Sequence, residues 1–208
     1  MSQRAVLNPA VKHIIDNFGI FGFGNEETAL LQSVKELLEN SLDACKASIS
    51  LTNPASKNMS VSINDAAEGT CAVEISDDGC GVSDPLSVLK VFCSTKAESN
   101  ITSSVATGRF GVGLSTCLVY SLVNCGAPMR LVTKCSTAEC ATVADYTMDG
   151  SGQPSCVQSR SVENVGFLAG TRIRVVLPLR SDRVAVVRRG GVYALGVFHT
   201  TYFVFLLW

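Results

Sequence analysis

Val34-Lys35-Glu36-Leu37-Leu38-Glu39-Asn40-Ser41-Leu42-Asp43-Ala44 is the stretch from which the rest of this 208-residue sequence is read. Its residues favour a helix from about Glu27 to Ala47. At about 100° of rotation per residue, Glu36, Asn40 and Asp43 share one face, and Leu30, Leu31, Val34, Leu37, Leu38 and Leu42 collect on the opposite one. A carboxylate one turn from a carboxamide suits general-base chemistry beside a hard cation. It suits a plain solvated helix face equally well, so the pair needs corroboration from elsewhere in the chain.

Composition narrows the classes. Lys and Arg total 17 against 18 Asp and Glu, so no net basic field marks a nucleic-acid surface. Nine cysteines lie scattered without a C-x-x-C pair, the pattern of reduced core residues rather than of disulfides or a zinc site. Only His13 and His199 are present, which leaves little room for a histidine metal centre or a catalytic triad. The amino terminus lacks a basic start followed by an apolar core, so an intracellular protein is expected, nuclear in a eukaryote and otherwise cytoplasmic. Gly191 to Trp208 runs 18 residues without a formal charge, but its glycines, Tyr193, His199 and paired threonines make a poor membrane span.

Along the chain, residues 1–25 read as an arm whose Phe18-Gly-Ile-Phe-Gly-Phe-Gly-Asn25 end forms a packed loop. Short strands are expected at Ser48 to Thr52 and Ser60 to Ile63 around a turn at Pro54 to Asn58, and another at Cys71 to Ser76. Asp84 followed by Pro85 starts a helix to about Phe92, and Leu114 to Asn124 forms another, stopped by Gly126 and Pro128. Strands at Arg130 to Cys135, Cys140 to Thr147, Cys156 to Glu163 and Thr171 to Pro178 make a meander, turned at Asp149-Gly150-Ser151-Gly152. Interleaved helices followed by hairpins argue an α/β (α+β) two-layer sandwich with a mixed, mostly antiparallel sheet and helices on one face.

Three further motifs follow the helix. Asp77-Asp78-Gly79-x-Gly81 sits at a strand end, where an aspartate points into a crevice and the glycines let the backbone approach a flat ring. Gly108-Arg109-Phe110-Gly111-Val112-Gly113 leads a Ser/Thr-rich loop into a helix, a natural cradle for phosphate. It matches neither the dinucleotide fingerprint nor the P-loop lysine pattern. Gly170-Thr171 opens the last clear strand, with a hydroxyl able to bond an aspartate or a water.

Glu-x-x-x-Asn, Asp-x-Gly-x-Gly, Gly-x-x-Gly-x-Gly and Gly-Thr in this order resemble the Bergerat ATP-binding fold of the GHKL family, which spans type II topoisomerases, MutL repair proteins, heat-shock chaperones and histidine kinases. The resemblance covers about residues 8–179. It implies an N-terminal arm at 1–25, an ATP-binding domain at 26–179 and a tail at 180–208 that does not match the family's continuation. By position, it implies Asn40 as the ligand of Mg²⁺ bridging the ATP phosphates and Glu36 as the base orienting water. Asp77 would bind the adenine amino group with Thr171 in support, and Gly79 and Gly81 would shape that pocket. Gly108, Arg109, Phe110, Gly111, Val112 and Gly113 would form the lid, with Lys96 approaching phosphate.

Phe23-Gly24-Asn25 ahead of Ala29 to Ala44 is most similar to the B subunit of DNA topoisomerase VI, as is the lid region with Phe92-Cys-Ser-Thr-Lys96. That branch implies an ATP-dependent homodimeric clamp that drives DNA strand passage, with DNA cut by a separate A-type subunit. A related B-like subunit of the meiotic double-strand-break machinery and a non-hydrolysing nucleotide-dependent interaction module are the alternatives.

Overall fold

The computed structural model describes residues 8–49, 57–91, 112–163 and 165–179, with the backbone of 184–189, 192–197 and 200–206. Helix α2 spans Glu26–Ser48, close to the expected limits. Its start is fixed by a capping box: Asn25 Oδ1 accepts from the Thr28 N–H at 2.9 Å, and Thr28 Oγ1 accepts from the Asn25 N–H at 3.2 Å. The buried stripe is Leu30, Val34, Leu37, Ser41 and Cys45. Leu42, expected on the buried side, is 38% exposed, since it lies roughly 120° around the helix from Leu30.

The arm is more ordered than a loop. Asn8 caps and Pro9 opens α1, Pro9–Asp16, an element absent from the sequence reading. Ile14 is fully buried, and Phe18 and Phe23 meet Tyr120 at ring-centroid distances of 5.0 and 5.1 Å. Helix α3, Pro85–Leu89, is capped by Asp84 but ends short of Phe92, because Lys90 turns extended at ψ 138°. Helix α4, Gly113–Cys125, closes on Gly126 in the left-handed region, as expected of that glycine.

Six strands form one sheet: β1 Met59–Ala67, β2 Thr70–Asp77, β3 Met129–Lys134, β4 Ala141–Met148, β5 Pro154–Val162 and β6 Gly170–Leu177. Ser48, expected to begin a strand, is the last residue of α2, and 50–56 lie outside the described residues. The sheet order is β1-β2-β6-β3-β4-β5, and every pairing is antiparallel. The first three strands of the expected four-strand meander, β3-β4-β5, pair in order, but the fourth, β6, leaves it and slots between β2 and β3, where it pairs with both. That insertion sets Thr171 beside Asp77 on one side and Thr133 on the other.

Helices α2 and α4 cover one face. Val73 and Ile75 of β2, Ile173 and Val175 of β6, Leu131 of β3 and Leu118 of α4 share one core with the α2 leucines. Each such side chain contributes about 1.5–3 kcal/mol when taken from water. In the tail, β7 Val184–Arg189, β8 Val192–Val197 and β9 Thr200–Leu206 form a separate antiparallel three-stranded sheet. Among the described residues, no helix is long and apolar enough to cross a membrane.

Candidate functional site

The sheet ends in a buried polar row. Asp77, Thr171 and Thr133 sit side by side on β2, β6 and β3, on the face covered by helices, and each is at most 5% exposed. Asp77 Oδ2 accepts from Ser41 Oγ of α2 at 2.8 Å, and Oδ1 accepts from the Gly79 N–H at 3.0 Å. Burial pushes the Asp77 carboxyl above the usual carboxylate range, against the pull of Ser41, Gly79 and the Thr171 backbone N–H. The carboxylate keeps acceptor capacity for a further donor. Thr171 Oγ1 is buried without a hydrogen-bond partner among the described residues. A buried hydroxyl left unpaired is costly, so this row is suited to a ligand that brings its own polar edge.

Two glycines let the turn after Asp77 pack tightly on its neighbours. A Cβ on Gly79 would lie 2.7 Å from the Ala44 carbonyl carbon, so the turn rests directly on the α2 backbone. Gly81, at φ 75°, packs on the Lys134 carbonyl, where any side chain would collide. The Val82 N–H donates to Thr133 Oγ1 at 2.7 Å and ties the turn down to β3. Asp78, the other acid of the motif, accepts from the Asn58 N–H at 2.9 Å and from Asn58 Nδ2 at 3.0 Å. Its role is to hold the β1 entry, which separates it from Asp77.

The polar face of α2 carries the second half of the site. Asn40 Nδ2 donates to the Glu36 carbonyl oxygen at 2.9 Å, which commits the amide nitrogen and leaves Oδ1, a hard donor, for a cation. Glu36 Oε1 accepts from Gln32 Nε2 at 2.6 Å, and Lys35 Nζ stands 3.6 Å away while also pairing with Glu39 at 3.1 Å. Gly113, the first residue of α4, lies directly on Glu36: a Cβ there would fall inside the envelope of Oε2 and 2.6 Å from Cδ. The α4 start has no side-chain cap, so its leading N–H groups and positive dipole end remain for an anion. A cleft of about 310 Å³ lined by Phe21, Gly22, Gln32, Glu36, Gly113 and Thr116 opens beside the carboxylate.

The residues singled out from the sequence therefore fall into two groups, Asp77, Gly79, Gly81 and Thr171 at the strand ends and Glu36, Asn40, Val112 and Gly113 at the helices. Lys96, Gly108, Arg109, Phe110 and Gly111 lie outside the described residues. The sequence reading missed Ser41, Gln32 and Thr133. Ser41 had a signal, being a hydroxyl on the stripe of Leu30, Val34 and Leu37, where a buried polar group must find a partner. Gln32 had a weaker one, a donor one turn before Glu36.

Residues 25–181 match the family described as Histidine kinase-, DNA gyrase B-, and HSP90-like ATPase. The B subunit of type 2 DNA topoisomerase 6 from Saccharolobus islandicus is 28% identical over 158 residues, covering 76% of this chain and 29% of that protein. Its counterpart from Saccharolobus solfataricus is 27% identical over 175 residues, covering 84% and 32%. The chain thus spans about a third of the length of these curated relatives. Among solved structures, the ATPase region of Saccharomyces cerevisiae topoisomerase II bound to ICRF-187 matches with a TM-score of 0.49 and 19% identity, covering 70% of this chain and 37% of that one. The ATPase domain of Aquifex aeolicus MutL matches with a TM-score of 0.31 and 19% identity over 68% of this chain and 37% of that one.

Proposed function

This chain belongs to the histidine kinase-, DNA gyrase B- and HSP90-like ATPase family, and from that premise we propose that it is the ATP-binding and ATP-hydrolysing module of a topoisomerase VI-type B subunit. The observation that carries the reading is the Asp77–Ser41–Thr171 row at the strand ends, with its unpartnered Thr171 hydroxyl. An adenine edge fits that row: the exocyclic amino group donates to Asp77, and Thr171 bonds the ring directly or through water. Gly79 and Gly81 let the ring lie against the backbone.

Glu36 is the base that orients the attacking water, and phosphoryl transfer asks little more of a protein than such positioning and charge stabilisation. Asn40 Oδ1 would hold Mg²⁺, which when bound neutralises charge on the ATP phosphates. The N–H groups at the start of α4, with Val112 and Gly113, face the phosphate end of the nucleotide. The resemblance assigns Lys96, Gly108, Arg109, Phe110 and Gly111, which lie outside the described residues, to the phosphate side of the nucleotide as well.

The shared identity with topoisomerase VI B subunits supports the wider role: two copies close on ATP, and an A-type partner cuts the DNA that the complex handles. Mixing the full-length protein with its cognate A-type partner distinguishes strand passage from cleavage without passage, the outcome expected of a meiotic break protein.

Mg·ATP turnover and nucleotide binding measured in wild type and Glu36→Ala test the core reading. The expected result is binding in both and turnover only in wild type. Equal turnover in the two removes Glu36 as the base, and binding without turnover in wild type favours a nucleotide-dependent switch.

A further inference from the structure

We propose that Gln32 is a positioning residue for Glu36 and that the arm segment Ile20 to Phe23 sets Gln32 in place, so that docking of the arm governs turnover. The inference rests on Glu36 being the water-orienting base. Glu36 is gripped from two sides. Its Oε1 accepts from Gln32 Nε2 at 2.6 Å, and its other oxygen lies under Gly113. A carboxylate held at both oxygens has little freedom to rotate away from a water.

Gln32 is itself held by the arm. A Cβ on Gly22 would lie 2.9 Å from both Gln32 Cγ and Gln32 Oε1, so this glycine closes directly over the amide. Gly22 has φ 86°, a left-handed conformation that glycine adopts without strain. The segment is anchored on either side: the Phe23 N–H donates to the Phe18 carbonyl at 2.7 Å, and both rings pack on Tyr120 of α4. Asn25, directly after it, caps the helix that carries Gln32 and Glu36. Lys35 is the competing holder, but its side chain is 48% exposed, and its ammonium stands 3.6 Å from Glu36 and is shared with Glu39, so its grip is weak.

The test is steady-state Mg·ATP hydrolysis by the 208-residue chain, with nucleotide affinity measured separately. Gln32→Met keeps the length of the side chain and removes the donor. Since a hydrogen bond to a charged group is worth about one to two orders of magnitude, kcat should fall roughly tenfold or more while KM and nucleotide affinity stay put. Gln32→Lys restores an N–H donor and should recover part of the loss, which a packing defect would not. Gly22→Ala should lower kcat several-fold in wild type and markedly less on a Gln32→Ala background, where the obstructed side chain is gone and only the backbone strain at φ 86° remains. Wild-type kcat in Gln32→Met, or the same loss from Gly22→Ala in both backgrounds, overturns the inference and leaves Glu36 as base. Turnover that survives Glu36→Ala, or is absent from wild type, overturns the base assignment and this inference together.

Discussion

Asp77 and Asp145 sit on opposite faces of the same sheet, each 5% exposed, yet their acidities move in opposite directions. Asp77 faces the helices, where its partners are neutral donors and burial dominates, so its carboxyl is pushed up. Asp145 faces away from them and accepts from Arg130, Nε to Oδ1 at 2.7 Å and Nη2 to Oδ2 at 2.8 Å, with Gln158 also donating. The guanidinium holds that carboxyl below its usual range. Equal exposure therefore does not make equal acids: deeper burial raises one, and the charged partner lowers the other. An acid stabilised only by neutral groups retains a demand that a ligand can meet, whereas the paired one is spent on joining β3 to β4.

The comparison is broken most severely where the site has no room. Gly113→Ala would drive a methyl group into the Glu36 carboxylate, which must then leave its position. Misplacing a reacting group by about 1 Å can cost roughly 10²-fold, so turnover should fall by about that factor while far-UV circular dichroism remains native. Turnover within twofold of wild type would mean that Glu36 is not held where chemistry needs it.

Asp77→Asn sharpens the comparison on the covered face. Loss of the charged acceptor should weaken nucleotide binding roughly 10- to 100-fold, read by calorimetry. Stability should move the other way. A carboxyl raised in the folded state binds more protons folded than unfolded, so wild-type stability falls as pH rises from about 3.8 through the elevated folded value. Denaturant unfolding across that window should show the decline in wild type and a flatter curve in Asp77→Asn. An unchanged curve would mean that the carboxyl is not under the burial strain described here.

The motif spacing made the helix and the division of the site legible in the sequence, because each rests on local rules. Glu36 and Asn40 needed only helical periodicity, and Asp84, Pro85 and Gly126 are local start and stop signals, whereas the Asn25 cap was passed over. What was not legible depended on pairing across the chain. Nothing near residue 171 announces that β6 lies between β2 and β3; the resemblance implied Thr171 in support of Asp77, but Thr133 joins them only through the sheet order. The arm's helix was hidden for another reason: at eight residues, α1 is too short to display a pattern, and it is held by Ile14 and Val11 packing against Val119.

The smallest effect is expected on the open face. Asp145→Asn leaves Arg130 without its charged partner, but Arg130 is 48% exposed and water replaces much of what is lost, so the cost should be about 1 kcal/mol. For a domain of this size that is roughly 2–4 °C in Tm. The pH dependence has the opposite sign to that of Asp77. A carboxyl lowered in the folded state contributes stability above its ordinary value of 3.8 and loses it as pH falls through the folded value, so the difference between wild type and Asp145→Asn should close in acid. Nucleotide affinity and turnover should not move, since Asp145 lies on the face away from the site. A parallel loss of turnover would show that the two faces are coupled through β3 and β6, and the separation between the strand-holding acid and the ligand-binding acid would fail.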